Sequence, residues 1–194
     1  MRYFLVNKPY DMLSQFTRER PEHRTLADLH DFPKDVYPVG RLDRDSEGLL
    51  ILTDDKRFNH RLLDPKFAHP RTYAVQLEGE PTGDVLARLA AGVTINLKGK
   101  QHRCRPVEVT PLPPAAPPRV PPVRFRKNIP TTWWALTLTE GKNRQVRRMC
   151  AAVGYPVLRL IRSAIGALSL DDLAGQQVRE VSVSYLRQRL PGLG

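Results

Sequence analysis

The chain has 194 residues, 41% of them hydrophobic and 26% charged, proportions of a folded soluble protein that exclude a disordered tail or a fibre. Lysine and arginine outnumber the acids 31 to 20, unevenly: residues 1–97 carry 14 basic and 15 acidic side chains, residues 98–194 carry 17 and 5. A half-chain so one-sided in charge attracts polyanions, nucleic acid first among them. The two cysteines, Cys104 and Cys150, form no CxxC and suit a reducing cytoplasm better than a disulfide framework. No apolar run reaches the roughly 18 residues of a membrane span, and the N-terminal run is too short for a signal peptide.

Tyr3–Val6 reads as a short buried strand closed by Asn7-Lys8-Pro9. Residues 10–40 are polar and irregular, with a short helix about Leu26–Leu29. Gly48–Thr53 is an apolar run of strand length. Asp54-Asp55 then caps a helix from Lys56 to about Leu63, stopped by Asp64-Pro65. Thr72–Leu77 alternates as a strand, and Gly83-Asp84 opens a helix using Val85, Leu86, Leu89 and Ala90. Val93–Leu97 and Arg103–Val109 are expected to pair as a hairpin across Lys98-Gly99-Lys100.

Nine of the 18 prolines lie between Pro106 and Pro130, so residues 111–130 read as an extended polyproline-like loop, neither helix nor central strand. Its Arg119, Arg124, Arg126 and Lys127 fit an acidic partner or an ordinary solvated loop equally well. Trp133–Thr139 returns to strand alternation. A helix near Arg144–Val153 places Val146, Met149, Cys150 and Val153 on one apolar stripe, with Arg144, Arg147 and Arg148 opposite and Gly154 closing it. Val157–Ile161 and Glu180–Val183 read as strands, followed by a short terminal helix. Strands and helices interspersed without a strict βαβ rhythm predict an α+β fold with a mixed, largely antiparallel sheet and flanking helices.

Two segments carry most of the chemistry. The first, Val39-Gly40-Arg41-Leu42-Asp43-Arg44-Asp45-Ser46-Glu47-Gly48, leads a charged turn straight into the apolar run. As a calcium loop it fails, because residues 49–52 offer no oxygen ligand and no flanking helix is visible. As a glycosidase pair, Asp43 and Asp45 fail too, since residues two apart in a turn entering a strand are not placed to flank one sugar. By spacing alone the segment is either a solvated ion-pair cluster or a carboxylate kept ionised between two guanidiniums, as a nucleophile requires.

The second, Glu140-Gly141-Lys142-Asn143-Arg144-Gln145-Val146-Arg147-Arg148-Met149, feeds a loop lysine into an arginine-rich helix start suited to phosphate oxygens. Arg71-Thr72-Tyr73 at a strand start and Arg159–Gly166, with two alternating arginines, are weaker signals. The five histidines make no HxH or HxxxH pair, so neither metal nor catalysis is assigned to them. GxxxxGK[ST] and GxGxxG are absent, which argues against ATP and dinucleotides.

In this order the segments resemble the pseudouridine synthases that modify ribosomal RNA. Gly40–Asp43 with Ser46-x-Gly48-Leu49-Leu50 resembles that family's nucleophile motif, Arg71-Thr72-Tyr73 its Lys/Arg-x-Tyr motif, and Glu140–Met149 its third hallmark. The wording is similar to the subgroup holding small-subunit synthase A and large-subunit synthases B, E and F. Because the likeness begins at about Tyr3, an N-terminal S4-type RNA-binding module is not expected. That narrows the resemblance to a large-subunit member, with 23S rRNA as partner.

The resemblance implies one catalytic domain over 1–194 with two lobes about a cleft, acting as an isomerase that cuts a uridine's N-glycosidic bond and rejoins the base through carbon. It implies Asp43 as nucleophile, Tyr73 stacking on the everted uracil and Arg147 paired with Asp43. RNA contacts would come from Arg41, Arg44, Lys142, Asn143, Arg144, Arg148 and Arg162. Neither metal nor cofactor is expected, nor a membrane, and the protein would work as a cytoplasmic monomer. The competing readings are a non-catalytic RNA-binding or ribosome-assembly protein, which leaves Arg41–Asp43 unexplained, and a metal-dependent hydrolase, which lacks a ligand cluster.

Overall fold

Buried throughout, residues 47–53 form the strand around which the first part of the fold is built. In a computed structural model, residues 1–124, 126–190 and 192 are described. In chain order the strands are β1 (Tyr3–Lys8), β2 (Met12–Leu13), β3 (Arg24–Thr25), β4 (Tyr37–Pro38), β5 (Glu47–Thr53), β6 (Arg71–Glu78), β7 (Thr94–Leu97), β8 (Lys100–Arg103), β9 (Glu108–Leu112), β10 (Thr131–Leu138), β11 (Val157–Ile165), β12 (Leu168–Ser169) and β13 (Val178–Val181). The α-helices are α1 (Lys56–Leu63), α2 (Gly83–Ala90), α3 (Gln145–Ala152) and α4 (Val183–Arg189). The class is the expected α+β, and the chain divides into two compact units, residues 1–69 with 161–194 and residues 70–160.

In the first unit β5 lies antiparallel to β1, with Tyr3 opposite Thr53 and Lys8 opposite Gly48. β13 continues antiparallel beyond β1, while β11 runs parallel to β5 where Ile161 and Arg162 meet Glu47 and Gly48. Side chains alternate between two cores. Tyr3, Leu5, Leu49 and Ile51 pack with Phe58 and Leu62 of α1 and Leu186 of α4. Phe4, Val6, Leu50 and Leu52 pack with Met12, Leu26 and Val36. A sheet covered on both faces reads as a continuous apolar run, which is why residues 48–53 show no polar alternation. Asp55 caps α1 by accepting from the Arg57 and Phe58 amides, and the Tyr3 hydroxyl donates to its other oxygen at 2.7 Å.

In the second unit β10 pairs antiparallel with both β6 and β9. Val75 and Leu77 of β6, Leu136 and Leu138 of β10, Leu89 of α2, and Val146, Met149 and Cys150 of α3 share one core, as the helical stripe predicts. Among the described residues no helix is long and apolar enough to cross a membrane.

Three of the boundaries that differ from expectation have a local cause. The hairpin returns on Lys100–Arg103, not Arg103–Val109. Lys98 and Gly99 both take positive φ, 52° and 85°, making a two-residue turn after which pairing resumes at once. Pro111 and Leu112 extend β9 at the sheet edge, where a proline's missing N–H is tolerated. Val183 starts α4 instead of ending a strand, because the Ser182 hydroxyl caps the helix at Tyr185 N–H.

Gly48 is the tightest point of the first unit. Its φ is +105°, and a Cβ there would stand 2.3 Å from the Arg162 carbonyl oxygen. Gly48→Ala therefore meets both backbone strain and a collision, and is expected to cost roughly 3 kcal/mol in urea unfolding. A loss below about 0.5 kcal/mol, the range of neutral surface changes, would contradict this packing.

Candidate active site

The segment entering β5 is pinned residue by residue. Val39 N–H donates to Ile51 O at 2.7 Å, and Ser46 N–H closes a turn onto Asp43 O at 3.0 Å. The buried Ser14 hydroxyl donates to Leu42 O at 2.8 Å and accepts from Leu42 N–H at 3.1 Å. On the other side, Arg44 O accepts from Met12 N–H, and the Arg44 guanidinium pairs with Asp11. Asp43 is thus half-buried between two fixed neighbours, with Arg41 exposed beside it.

Lys8 completes this support. It is fully buried at the end of β1, and its ammonium donates to Met12 O at 2.8 Å, Pro9 O at 2.9 Å and Arg44 O at 3.4 Å. Burial lowers its pKa to about 8, opposed by the charges of Glu47, Asp45, Asp11 and Asp43. Sequence reasoning read Asn7-Lys8-Pro9 only as a strand ending. The signal was a lysine closing an apolar strand, where a polar end would otherwise face solvent.

In the second unit Tyr73 sits on β6 opposite Leu136 of β10, half-buried against the core. Thr72 and Thr137 hydroxyls meet beside it at 3.0 Å. Arg144, at φ +51°, turns the chain into α3. Lys142 and Asn143 are exposed, whereas Arg147 is half-buried and donates to Val157 O at 3.1 Å. Arg148 folds back to donate to Asn96 O at 2.7 Å and Asn143 O at 3.2 Å, so its guanidinium braces the loop.

Arg162, expected to touch RNA, is 5% exposed and donates to Leu49 O at 2.8 Å, which places its guanidinium against the main chain of β5.

Glu140 is a second residue whose role the sequence did not reveal. Its carboxylate accepts from Arg105 N–H at 2.9 Å and from Gln145 Nε2 at 2.6 Å, and lies 3.3 Å from His102 Nε2. Gln145 Oε1 in turn accepts from Lys142 N–H at 2.9 Å, which ties Glu140 to the cationic loop. Burial works against the Glu140 charge, but the Arg105, Gln145 and His102 hydrogen bonds outweigh it and hold the pKa below the usual carboxylate value. His102, Cys104 and Glu140 offer ligand atoms within 4.8 Å of one another. Burial and the Glu140 charge push the Cys104 thiol up, and the hydrogen bonds of Glu140 to Arg105, Gln145 and His102 make the group a clasp between β8 and the loop before α3.

Residues 2–152 match the RNA pseudouridylate synthase family. The chain belongs to that family. This pseudouridine synthase is 54% identical over 173 residues to the ribosomal large subunit pseudouridine synthase E of Xanthomonas axonopodis pv. citri, covering 88% of each chain. It is 34% identical to the ribosomal small subunit pseudouridine synthase A of Salmonella typhimurium, over 88% of this chain and 66% of that one. A solved pseudouridylate synthase superposes with a TM-score of 0.77 at 29% identity, over 97% of this chain and 74% of the other. The subgroup expected from the motif wording is the one that the relatives' names give.

Two outcomes test the supports of this synthase. Lys8→Met leaves the buried carbonyls of Pro9, Met12 and Arg44 without a donor. Because the folded pKa of Lys8 is about 8 against an ordinary 10.5, the unfolded chain binds the extra proton within that window. The stability difference, wild type minus Lys8→Met, should therefore rise by about 1.4 kcal/mol per pH unit from pH 8 to 10.5; a flat difference refutes the depressed value. Glu140→Gln is expected to destabilise the second unit by roughly 2 kcal/mol at neutral pH. The penalty should shrink as pH falls below the unfolded carboxylate value of about 4.3, where the unfolded chain takes up its proton before the folded one does. Hydrogen exchange of residues 140–149 reads the Glu140→Gln effect, and urea unfolding across pH reads that of Lys8→Met.

Proposed function

We propose that the chain isomerises a uridine of 23S rRNA to pseudouridine in the cytoplasm, with Asp43 as the nucleophile. In such a reaction the N1–C1′ bond breaks, the base turns, a C5–C1′ bond forms, and the C5 proton is exchanged for one on N1. Atoms and electrons balance without an oxidant, a reductant or a phosphoryl donor.

The observation that carries the reading is the fixation of the Asp43 turn by Ser14 on one side and by Met12, Lys8 and Asp11 on the other. A nucleophile held at the level of its backbone loses little orientation entropy on reaching the transition state. Tyr73 supplies a ring for stacking on the everted base, and Arg147 a half-buried guanidinium on α3. Extruding the base costs a few kcal/mol, which contacts of Arg41, Arg44, Lys142, Asn143 and Arg144 with the RNA backbone offset. The relatives named for the large ribosomal subunit, at 54% and 52% identity, support 23S rRNA as the substrate.

Asp43→Asn keeps size and shape but removes the charge. It is expected to bind 23S rRNA as the wild type does while pseudouridine formation falls by roughly 10³-fold or more. Carbodiimide mapping of 23S rRNA from cells with and without the gene should lose one or more modified positions. An identical map from both strains overturns the substrate, and an active Asp43→Asn overturns the nucleophile.

A further inference from the structure

The proline-rich segment is not absorbed by the reaction just described. Between Glu108 and Glu140 the sequence holds no acid, yet it carries Arg119, Arg124, Arg126 and Lys127. A solvated loop would leave all four in water, but this segment is tethered. The buried Arg159 donates to Pro117 O at 2.6 Å, and Arg119 Nε donates to Pro121 O at 2.9 Å. Arg126 pairs with Glu78 of β6 at 3.1 Å, and Pro130 O accepts from Gly79 N–H at 2.8 Å.

Between these tethers the segment walls a cavity of about 450 Å³, lined by Gln76 and Thr131 of the sheet and by Val123, Arg124, Lys127, Asn128, Ile129 and Pro130. The site is a groove open to solvent, which suits a stretch of a polymer better than an enclosed small molecule. The lining is chemically selective. It combines two cations with an amide on each side, a hydroxyl and three apolar side chains, and no acid. Glu78, the nearest acid in β6, pairs with Arg126, so the Arg124 and Lys127 charges are left for an outside anion. Two cations suit one phosphodiester, while amides and an apolar wall suit the ring and edge of a base. An acidic peptide offers carboxylates and backbone amides to the same groups; the family's RNA substrate favours a nucleotide, and the test below separates the two.

We propose that this cavity is an accessory RNA site of the second unit, taking one unpaired nucleotide of the substrate outside the uridine being modified, with its phosphate on Arg124 and Lys127. The inference rests on the rRNA reading above. Its consequence is an affinity supplied by the proline-rich segment, separate from the chemistry.

The test is filter binding of the full chain to a protein-free 23S rRNA transcript between roughly 50 and 200 mM KCl. Arg124→Ala/Lys127→Ala should weaken binding roughly tenfold and make the slope of log K against log salt shallower by about 2. KM for the transcript should rise while kcat holds. The charge-matched control Arg88→Ala/Lys100→Ala, two exposed cations elsewhere in the same unit, should leave the slope nearer that of the wild type. Equal losses in both double variants reduce the effect to net charge and overturn the site. An unchanged slope in the first variant overturns it as well, as does wild-type RNA binding with lost association to large-subunit particles, which would mark a protein partner. Failure of the wild type to form pseudouridine in 23S rRNA is a different result and overturns the rRNA reading itself.

Discussion

The approach of Gly48 to the backbone of Arg162 fixes how β5 meets β11, and the Asp43 turn inherits its position from that contact. Because β5 is buried on both faces, a slip of one residue would exchange Leu49 and Ile51 with Leu50 and Leu52 between two differently shaped cores. The register has no cheap alternative, so the residues entering the strand start from a fixed place. What remains to be set is the eight-residue stretch from Val39 to Ser46, and there the protein uses hydrogen bonds in place of packing. Ser14 and Lys8 come from the neighbouring β1 and β2 region, which the sheet already holds beside β5. Keeping an ammonium in an apolar setting is costly, as its depressed pKa shows, and three carbonyl acceptors offset that cost.

The excess positive charge of residues 98–194 divides into two populations once the fold is known. Arg147, Arg148 and Arg159 donate to main-chain carbonyls of their own unit, where a planar guanidinium brings several donors on one fork. Lys142, Arg124 and Lys127 stand without such a role and shape the outward field. Formal charge therefore overstates the number of cations that face outward from the second unit. The division also explains why arginine dominates the inward set. A lysine would bring a compact, strongly hydrated charge to the same carbonyls and would lose its proton more readily on burial.

Much of this was legible in the sequence wherever one local rule decided the outcome. Asp55 and Asp64 bound α1 because caps and prolines act within a few residues, and the Val146–Val153 stripe marked the buried side of α3 because helical periodicity is local. The Gly40–Asp43 and Glu140–Met149 segments could be singled out for the same reason, as dense charge beside an apolar run. What escaped depended on partners far along the chain. Nothing around residue 8 says that its ammonium will meet the carbonyl of Arg44, and nothing around residue 140 says that its carboxylate will collect donors from residues 102, 105 and 145. The burial of Arg162 escaped for the converse reason, since alternation on a strand does not tell an outward face from a second core. The hairpin error came from reading Lys98-Gly99-Lys100 as a three-residue link when two positive-φ residues sufficed.

Both cysteines of the chain lie in the second unit, and both are sealed within it. Burial pushes the Cys150 thiol up to about 12, so neither solvent contact nor thiolate character exposes it to oxidants or alkylating agents in the folded state. The first unit has no thiol at all. Chemical labelling at sulfur therefore follows one half of the molecule and is blind to the other, giving the protein an internal clock for the breathing of residues 70–160.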